Sequence, residues 1–401
     1  MKLIYFLCIL LVVPSLIFAG SSIFGFGPQG SSFYQYNYST AALGRGGVET
    51  AVPDTIGINY HNFSLLSYNT RTLLSMNMMF ESRSVKQPNS DYYTGNAKFT
   101  GGLLSFPVLK RKVGIGIGLF PVIGNDQQFS RPFQTSYASD EITGTELIKT
   151  SGTISEATFS IAINTQRNFA FALVGRYAFG MIKDNLSIIY DQSFLGDIYA
   201  QNKYQVSGFG MRCDLFYTLK SRLHAGLSIN FPFSADLGVT QTTPGLTSGD
   251  TKNHSIRFPM YLSGGMTYEL SKSWLTSFDI NYANWKHHYK IDGHSIENMN
   301  DSYRLGAGIE KRPVDIKREK LTYRGGLFYG QVNMYSGFAN IDEYGVGFGL
   351  GIPLLFEFNR LDIALHVGKR GKINHNLAEE TFMRFEISIS AGEFWFIRDE
   401  R

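Results

Sequence analysis

The sequence of 401 residues predicts an all-β fold, a transmembrane antiparallel β-barrel of about 14 strands with an N-terminal hatch inside its lumen. Three observations support this prediction. The N-terminus has the pattern of an export signal, many segments alternate apolar and polar residues, and the connections between those segments alternate between short and long. Together these features are typical of proteins that cross an outer membrane with strands.

Residues 1–20 are predicted to be a secretory signal peptide. Lys2 supplies the positive start, an almost unbroken apolar run extends from Leu3 to Phe18, and the small residues Ala19 and Gly20 follow. A single membrane-anchoring helix is the alternative interpretation, but the run is short and no charged flank follows it. The chain is therefore expected to be exported.

The composition excludes several classes of protein. Aromatic residues make up 14% of the sequence and 42 residues are glycine, yet the mean hydropathy is only −0.10. No later segment has an apolar run long enough for a membrane-spanning helix. The net charge of +4 is too small to predict a nucleic-acid partner. Because Cys213 is the one cysteine beyond the signal segment, an intramolecular disulfide and a multi-cysteine metal site are excluded.

The clearest predicted strands have large apolar residues on one face and small or polar residues on the other. Phe169, Phe171 and Leu173, for example, alternate with Ala170 and Ala172. A period of two residues is that of a strand, since a helix repeats every 3.6 residues. Charged residues of both signs fall on the small or polar face: Arg176, Arg212, Asp214, Arg257, Glu269, Asp279, Arg304, Glu310, Arg324, Asp362, Arg384 and Glu386. A soluble β-sandwich can show the same arrangement, so alternation alone leaves both folds open.

The lengths of the connections favour the barrel. The predicted strands lie near 70–82, 95–106, 112–121, 151–164, 168–182, 203–219, 222–233, 254–270, 273–285, 301–311, 319–331, 343–356, 359–370 and 381–396. Short connections such as Lys220-Ser221 alternate with long ones such as 122–150 and 234–253. Short periplasmic turns and long outer loops characterise outer-membrane barrels, and a sandwich gives no reason for them. We therefore assign residues 67–401 to a barrel with both ends on the periplasmic side.

Residues 21–66 precede the barrel and do not alternate. They are rich in glycine, serine and aromatic residues, and about 45 residues are more than a simple tail requires. A barrel of 14 strands encloses more space than its own side chains fill, so a segment in this position can occupy the lumen. A disordered periplasmic leader is the alternative, although the aromatic content is atypical of disorder. We predict a hatch inside the barrel.

Three short motifs in this segment carry a family resemblance. They are Gly25-Phe26, Leu43-Gly44-Arg45-Gly46, and the run from Pro53-Asp54 to Leu65. The segment resembles the N-terminal hatch of the FadL/TodX outer-membrane transporters for long-chain fatty acids and other hydrophobic compounds. It departs from that pattern at His61-Asn62, where Asn-Pro is usual, and at Phe63-Ser64. The resemblance implies a distant member of this superfamily and does not name a substrate.

A run of alternating glycines stands in the third predicted strand, at Gly114, Gly116 and Gly118, followed by Pro121. Another run covers 345–351. Glycine within a strand often marks a bend or a close approach to the backbone. The resemblance implies a kink in the third strand that opens a lateral gap to the membrane, and we assign the first three glycines to that gap. The alternative is that the hatch packs against the glycines.

The resemblance implies passive uptake of a hydrophobic small molecule across the bacterial outer membrane. The ligand would enter from the outer loops, bind beside the hatch and leave through the lateral gap. Six residues of the lumen and hatch are expected to contact it: Phe26, Phe33, Tyr34, Leu43, Phe120 and Phe328. The protein is expected to act as a monomer surrounded by outer-membrane lipid.

No enzymatic activity is predicted, because no convincing set of catalytic residues can be placed. Metal ligands and cofactors are likewise not expected. Two other functions remain open. The chain can be a structural or secretion-associated barrel without a transport role, or a general porin.

Overall fold

The computed structural model describes most of the chain. The described residues are 22, 24, 37–54, 56–137, 140–166, 168–192, 195–242, 251–296, 299–314, 321–336, 339–354 and 359–393. The predicted signal peptide and the expected ligand contacts Phe26, Phe33 and Tyr34 lie outside them. Within the described residues, no helix is long and apolar enough to cross a membrane.

The described residues are mostly strand, and all strands belong to one sheet. The strands are β1 (Thr72–Gln87), β2 (Ser90–Leu109), β3 (Val113–Tyr137), β4 (Asp140–Gln166), β5 (Phe169–Tyr190), β6 (Ile198–Lys220), β7 (Leu223–Asn230), β8 (Phe233–Thr242), β9 (Lys252–Phe258), β10 (Tyr261–Glu269), β11 (Trp274–Ala283), β12 (Lys290–Ile291), β13 (His294–Ser295), β14 (Ser302–Lys311), β15 (Thr322–Ser336), β16 (Ala339–Pro353), β17 (Arg360–Arg370) and β18 (Glu379–Glu393).

The sheet closes into a barrel because β1 pairs antiparallel with both β2 and β18. β7 and β8 form one barrel strand interrupted at Phe231-Pro232, and β9 and β10 form another interrupted at Pro259-Met260. β12 and β13 are a small hairpin in an outer loop. Counted in this way, the described residues form a closed antiparallel barrel of 14 strands, which confirms the predicted fold class.

The outside of the barrel is apolar, as a lipid environment requires. Along β11, Trp274, Phe278 and Ile280 are between 41% and 49% exposed, whereas Ser277 and Asp279 between them are buried. The predicted lumenal charges are buried or half-buried, except that Arg257 on β9 is exposed. Strands satisfy their backbone hydrogen bonds within a closed barrel, so this architecture can cross a bilayer. The architecture is that of an outer-membrane β-barrel.

The strands extend further on the outer side than predicted. The expected loops 83–94, 122–150 and 183–202 are largely strand, and β3 and β4 contain 25 and 27 residues. Outside the membrane both faces of a sheet can be polar, so the alternation that reveals a strand is lost there. The short turns on the opposite side, such as Lys220 to Leu223, lie where they were predicted.

The lumen contains the stretch 37–54 and 56–69, which we call the lumenal segment. Its helix α1 (Thr40–Gly44) is capped by Ser39, whose hydroxyl accepts a hydrogen bond from the Ala42 amide at 3.2 Å. A 3₁₀ turn (Phe63–Tyr68) is capped in the same way by Asn62. Most of these side chains are buried. Two further helices, α2 (Trp285–His288) and α3 (Ile373–Asn376), lie in outer loops.

Candidate functional site

The lumenal segment packs directly against glycines of the barrel wall. A Cβ atom at Gly326 would overlap the carbonyl carbon of Arg45, and one at Gly347 would overlap the carbonyl oxygen of Leu43. Gly226 is approached in the same way by the carbonyl oxygen of Thr50. Glycine at these wall positions therefore allows two backbones to touch, which agrees with the alternative interpretation of the glycine run at 345–351.

Ion pairs tie the segment to the wall near the periplasmic turns. Arg45 pairs with Glu310, and Arg360 bonds Asp54 at 2.6 Å. Arg324 connects the two pairs, because its guanidinium bonds Glu310 and also Asp362, both at 2.7 Å. Asp362 in turn bonds Arg360 at 2.7 Å. Burial raises the pKa of the Asp54 carboxyl, but the Arg360 guanidinium outweighs it and holds the pKa well below its usual range.

A second polar network lies nearer the outer side and encloses Phe328. Arg304 bonds Glu343 at 2.9 Å, and its guanidinium lies 3.9 Å from the centre of the Phe328 ring. The His366 ring also stacks on Phe328, with the centroids 4.3 Å apart, and its Nε2 atom lies 3.3 Å from the Arg304 guanidinium. Phe328 is thus packed between protein groups and lines none of the described cavities.

The cavities that the described residues line inside the lumen are small. A cavity of about 50 Å³ lies between the segment and the wall, next to Tyr60, His61, Phe120, Arg176 and Arg212. An adjoining cavity of about 20 Å³ has a more apolar lining that includes Phe258 and Trp285. Burial, with the nearby guanidinium groups of Arg212 and Arg304, lowers the pKa of His61 to about 3, so its imidazole is neutral.

A larger cavity lies in the barrel wall, where β2 and β3 separate. Among the described residues, the ladder between the two strands runs from Leu109 opposite Val113 only as far as Gly102 opposite Leu119. β3 has a bulge against β4 immediately afterwards, between Pro121 and Ile123. We call this region the seam. It contains a cavity of about 350 Å³.

The seam cavity has two kinds of lining. Ala97, Phe99, Leu119 and Pro121 are apolar. Gly124 and six polar residues complete the lining: Asn96, Lys98, Asn125, Asp126, Thr153 and Ser155. The apolar side chain of Leu119 is 44% exposed on the lipid face, whereas Asn125 is buried. The cavity therefore borders both the lipid-facing and the inward-facing surfaces of the wall.

A family model described as BamG matches residues 4–400. The chain belongs to the BamG family. No curated protein matches it. Its solved structural neighbours include a Pseudomonas aeruginosa FadL homologue, at 13% identity and a TM-score of 0.63, which covers 89% of this chain and 99% of that chain.

Two further neighbours of this BamG-family chain are the CymD monoaromatic hydrocarbon channel and the Pseudomonas putida toluene transporter TodX. CymD has 14% identity, a TM-score of 0.60 and coverage of 91% of this chain and 100% of that chain. TodX has 14% identity, a TM-score of 0.53 and coverage of 90% and 99%. Identities this low establish a shared fold. The resemblance to FadL/TodX proteins is confirmed at that level.

The three glycines assigned to the lateral gap of this BamG-family barrel lie in a paired part of its wall. Gly114, Gly116 and Gly118 pair with β2 on one side and with β4 on the other. Their inward faces meet other groups, and a Cβ atom at Gly114 would overlap the carbonyl oxygen of Leu66. The described ladder between β2 and β3 ends beyond these glycines, at Gly102 opposite Leu119, so the lateral gap assigned to them stays a prediction.

Of the other expected ligand contacts in this BamG-family chain, Phe120 lines a described cavity and Leu43 does not. Phe120 lines the 50 Å³ cavity and packs against Tyr60, with ring centroids 5.0 Å apart. Leu43 is buried in α1 and lines none of the described cavities. Ala97 and Phe99, which line the seam cavity, were not among the residues predicted from the sequence. Pro121, which follows the glycines of the third predicted strand, is the sequence signal that could have indicated the bulge.

Proposed function

We propose that this protein is an outer-membrane channel for passive uptake of hydrophobic small molecules such as long-chain fatty acids. In this proposal the lumenal segment is a plug, and the ligand leaves sideways through the seam. The seam cavity is the observation that carries the proposal. Its volume of about 350 Å³ lies within the usual range for small-molecule sites, roughly 300–1,000 Å³, whereas the lumenal cavities lie below it.

The lining of the proposed path suits apolar cargo. The outer lumen contains a buried apolar cluster that includes Val122, Ile154, Phe258 and Trp285. Pro121, next to Val122, lines the seam. A ligand that moves from the outer lumen to the seam would keep apolar contacts along Val122 and Pro121 and reach the lipid beside Leu119. The protein would act as a monomer, because each barrel contains its own path.

The small size of the described lumenal cavities argues against a general porin. Porins keep a water-filled channel, whereas the described lumenal cavities measure about 50 Å³ or less. The ion pairs of Arg45 and Asp54 hold the lumenal segment in this position. Among the structural neighbours, CymD is named a hydrocarbon channel and TodX a toluene transporter, which supports cargo of an apolar kind.

A structural or secretion-associated barrel is the second candidate. The same ion pairs favour it, because a segment fixed to the wall by buried arginines can serve simply to keep the barrel closed. Such a protein would purify with other envelope proteins and without bound lipid. The two candidates thus differ in what the purified protein retains.

Uptake in reconstituted vesicles tests the proposal. Purified protein would be placed in liposomes that contain an internal fatty-acid-binding fluorophore, and a long-chain fatty acid would be added outside. We expect faster signal than in protein-free liposomes, with ion conductance in planar bilayers far below that of a porin. Equal rates with and without protein would contradict the proposed transport. High conductance would instead support a porin.

A further inference from the structure

Ten acidic side chains are buried in the described part of the chain, and they fall into two groups. Seven of them bond at least one arginine: Glu81, Glu156, Asp214, Glu310, Glu343, Asp362 and Glu380. The other three are Glu49, Asp279 and Glu386, and no described arginine or lysine lies within ion-pair distance of them. All three lie where the lumenal segment meets the wall.

Each of these three carboxyl groups takes hydrogen bonds from the segment. Glu386 on β18 accepts a bond from the Thr40 hydroxyl at 2.8 Å. Asp279 on β11 accepts bonds from the amides of Glu49 and Thr50 and from the Thr50 hydroxyl, all at 2.8 Å. Glu49 accepts a bond from the Ser39 hydroxyl at 2.6 Å. The three acids therefore hold both ends of the stretch 39–50.

The surroundings of these acids supply little compensating charge. Arg45 attracts Glu49 and Asp279 electrostatically but forms no ion pair with either of them. The neutral His61 ring is 4.0 Å from Glu49. Asp279 itself is a like charge for Glu49 when ionised. Glu386 also accepts a bond from Asn77, at 3.1 Å, and faces Lys98 of β2 and Glu49 at longer range. Tyr60 lies close enough to Glu49 and Glu386 to interact with them electrostatically, but its phenol is neutral.

We propose that Glu49, Asp279 and Glu386 form a proton-dependent latch, which holds the lumenal segment in the barrel while the acids are neutral and loosens it when they ionise. A buried carboxylate without a cation is strongly disfavoured, whereas the neutral acid tolerates the same place. Ionisation of Glu49 beside Asp279 would add repulsion between two acids that face each other across the contact. Release of the segment returns Glu49 to water.

The direction of the pH effect follows from Glu49, which belongs to the segment. Burial raises the pKa of its carboxyl from 4.5 to about 7, more than the Ser39 hydrogen bond lowers it. The closed state then binds more protons than the released state, so raising the pH favours release. Between pH 6 and pH 8, Glu49 alone should increase the ratio of released to closed barrels roughly tenfold.

Conductance of the full-length protein in planar bilayers, recorded from pH 5.5 to pH 9, tests the latch. Wild-type conductance should increase with pH across neutrality. In the variant that combines Glu49→Gln, Asp279→Asn and Glu386→Gln, the amides keep the hydrogen-bond acceptors and cannot ionise, so conductance should stay low at every pH. Glu379→Gln, an acid on the outer surface that pairs with Lys369, is the control and should titrate like the wild type.

Two results would overturn the latch: a wild-type conductance independent of pH, or a triple variant that still titrates. If the triple variant does not fold, the single variant Glu49→Gln still tests the latch. It should remove the roughly tenfold change in the ratio of released to closed barrels that Glu49 contributes between pH 6 and pH 8. Conductance measures release of the segment and does not depend on which cargo is transported. The latch proposal and the uptake proposal can therefore be contradicted independently of each other.

Discussion

Arg360 of β17 holds Asp54 of the lumenal segment with two hydrogen bonds, from Nη1 at 3.1 Å and from Nη2 at 2.6 Å. The same guanidinium donates from Nε to Asp362 of the wall at 2.7 Å. Such a forked contact fixes both distance and orientation. The periplasmic end of the segment is thus bound to the wall by a residue far away in the sequence.

Asp54→Asn should loosen this end of the segment. The amide keeps one acceptor, but the charge-assisted bonds to Arg360 are lost, which should cost about 1.5–3 kcal/mol. Arg360 retains Asp362, so the barrel itself should still fold. Thermal unfolding in detergent and bilayer conductance would measure the effect. We expect a lower unfolding temperature and higher conductance, whereas unchanged conductance would show that this pair does not keep the lumen closed.

Adjacent glycines on β15 provide a matched test of the close packing. Gly326 faces the lumen, where a Cβ atom would overlap the Arg45 backbone, whereas a Cβ atom at Gly325 would lie 3.9 Å from the Ile309 Cγ2 atom, an ordinary van der Waals distance. Gly326→Val should displace the segment, at a cost of about 1–3 kcal/mol, and raise conductance. Gly325→Val should leave conductance at the wild-type level. If both variants conduct alike, the segment does not pack where we place it.

The lipid face of β5 can be tested with arginine. Leu173 is half exposed toward lipid, whereas Asn185 lies on the outer extension of the same strand. Leu173→Arg should reduce the free energy of unfolding by about 2–4 kcal/mol, and Asn185→Arg by about 0–1 kcal/mol, because the cost of a charge falls with distance from the bilayer midplane. Unfolding titrations in lipid vesicles would measure both. Equal losses would place the membrane boundary elsewhere.

The sequence predicted the barrel well, because its evidence is local. Alternation along Trp274–Ala283 identifies the lipid face of β11 without knowledge of any partner strand. The outer half of β3 was missed for a physical reason. Residues such as Gln127, Gln128 and Ser130 are polar on both faces, and they are strand because their backbone pairs with β4.

The candidate site was harder to predict, because it depends on contacts between distant residues. Arg45 stood within a recognised motif, but its partner Glu310 is 265 residues away. The seam likewise depends on where β2 stops pairing with β3 and on a bulge against Ser155 and Ile154 of β4. A proline in β3 indicated a disturbance, but no local pattern could place the opening beyond Gly118.

Uptake through the seam is the central claim, and filling the seam cavity tests it most directly. Ala97 of β2 lines the cavity, whereas Leu104 of the same strand faces lipid in the part that pairs with β3, opposite Ile117. Fatty-acid uptake into liposomes would be compared for Ala97→Trp and Leu104→Trp. We predict that Ala97→Trp slows uptake several-fold without raising conductance, while Leu104→Trp transports like the wild type. Wild-type uptake by a folded Ala97→Trp barrel would contradict release through the seam.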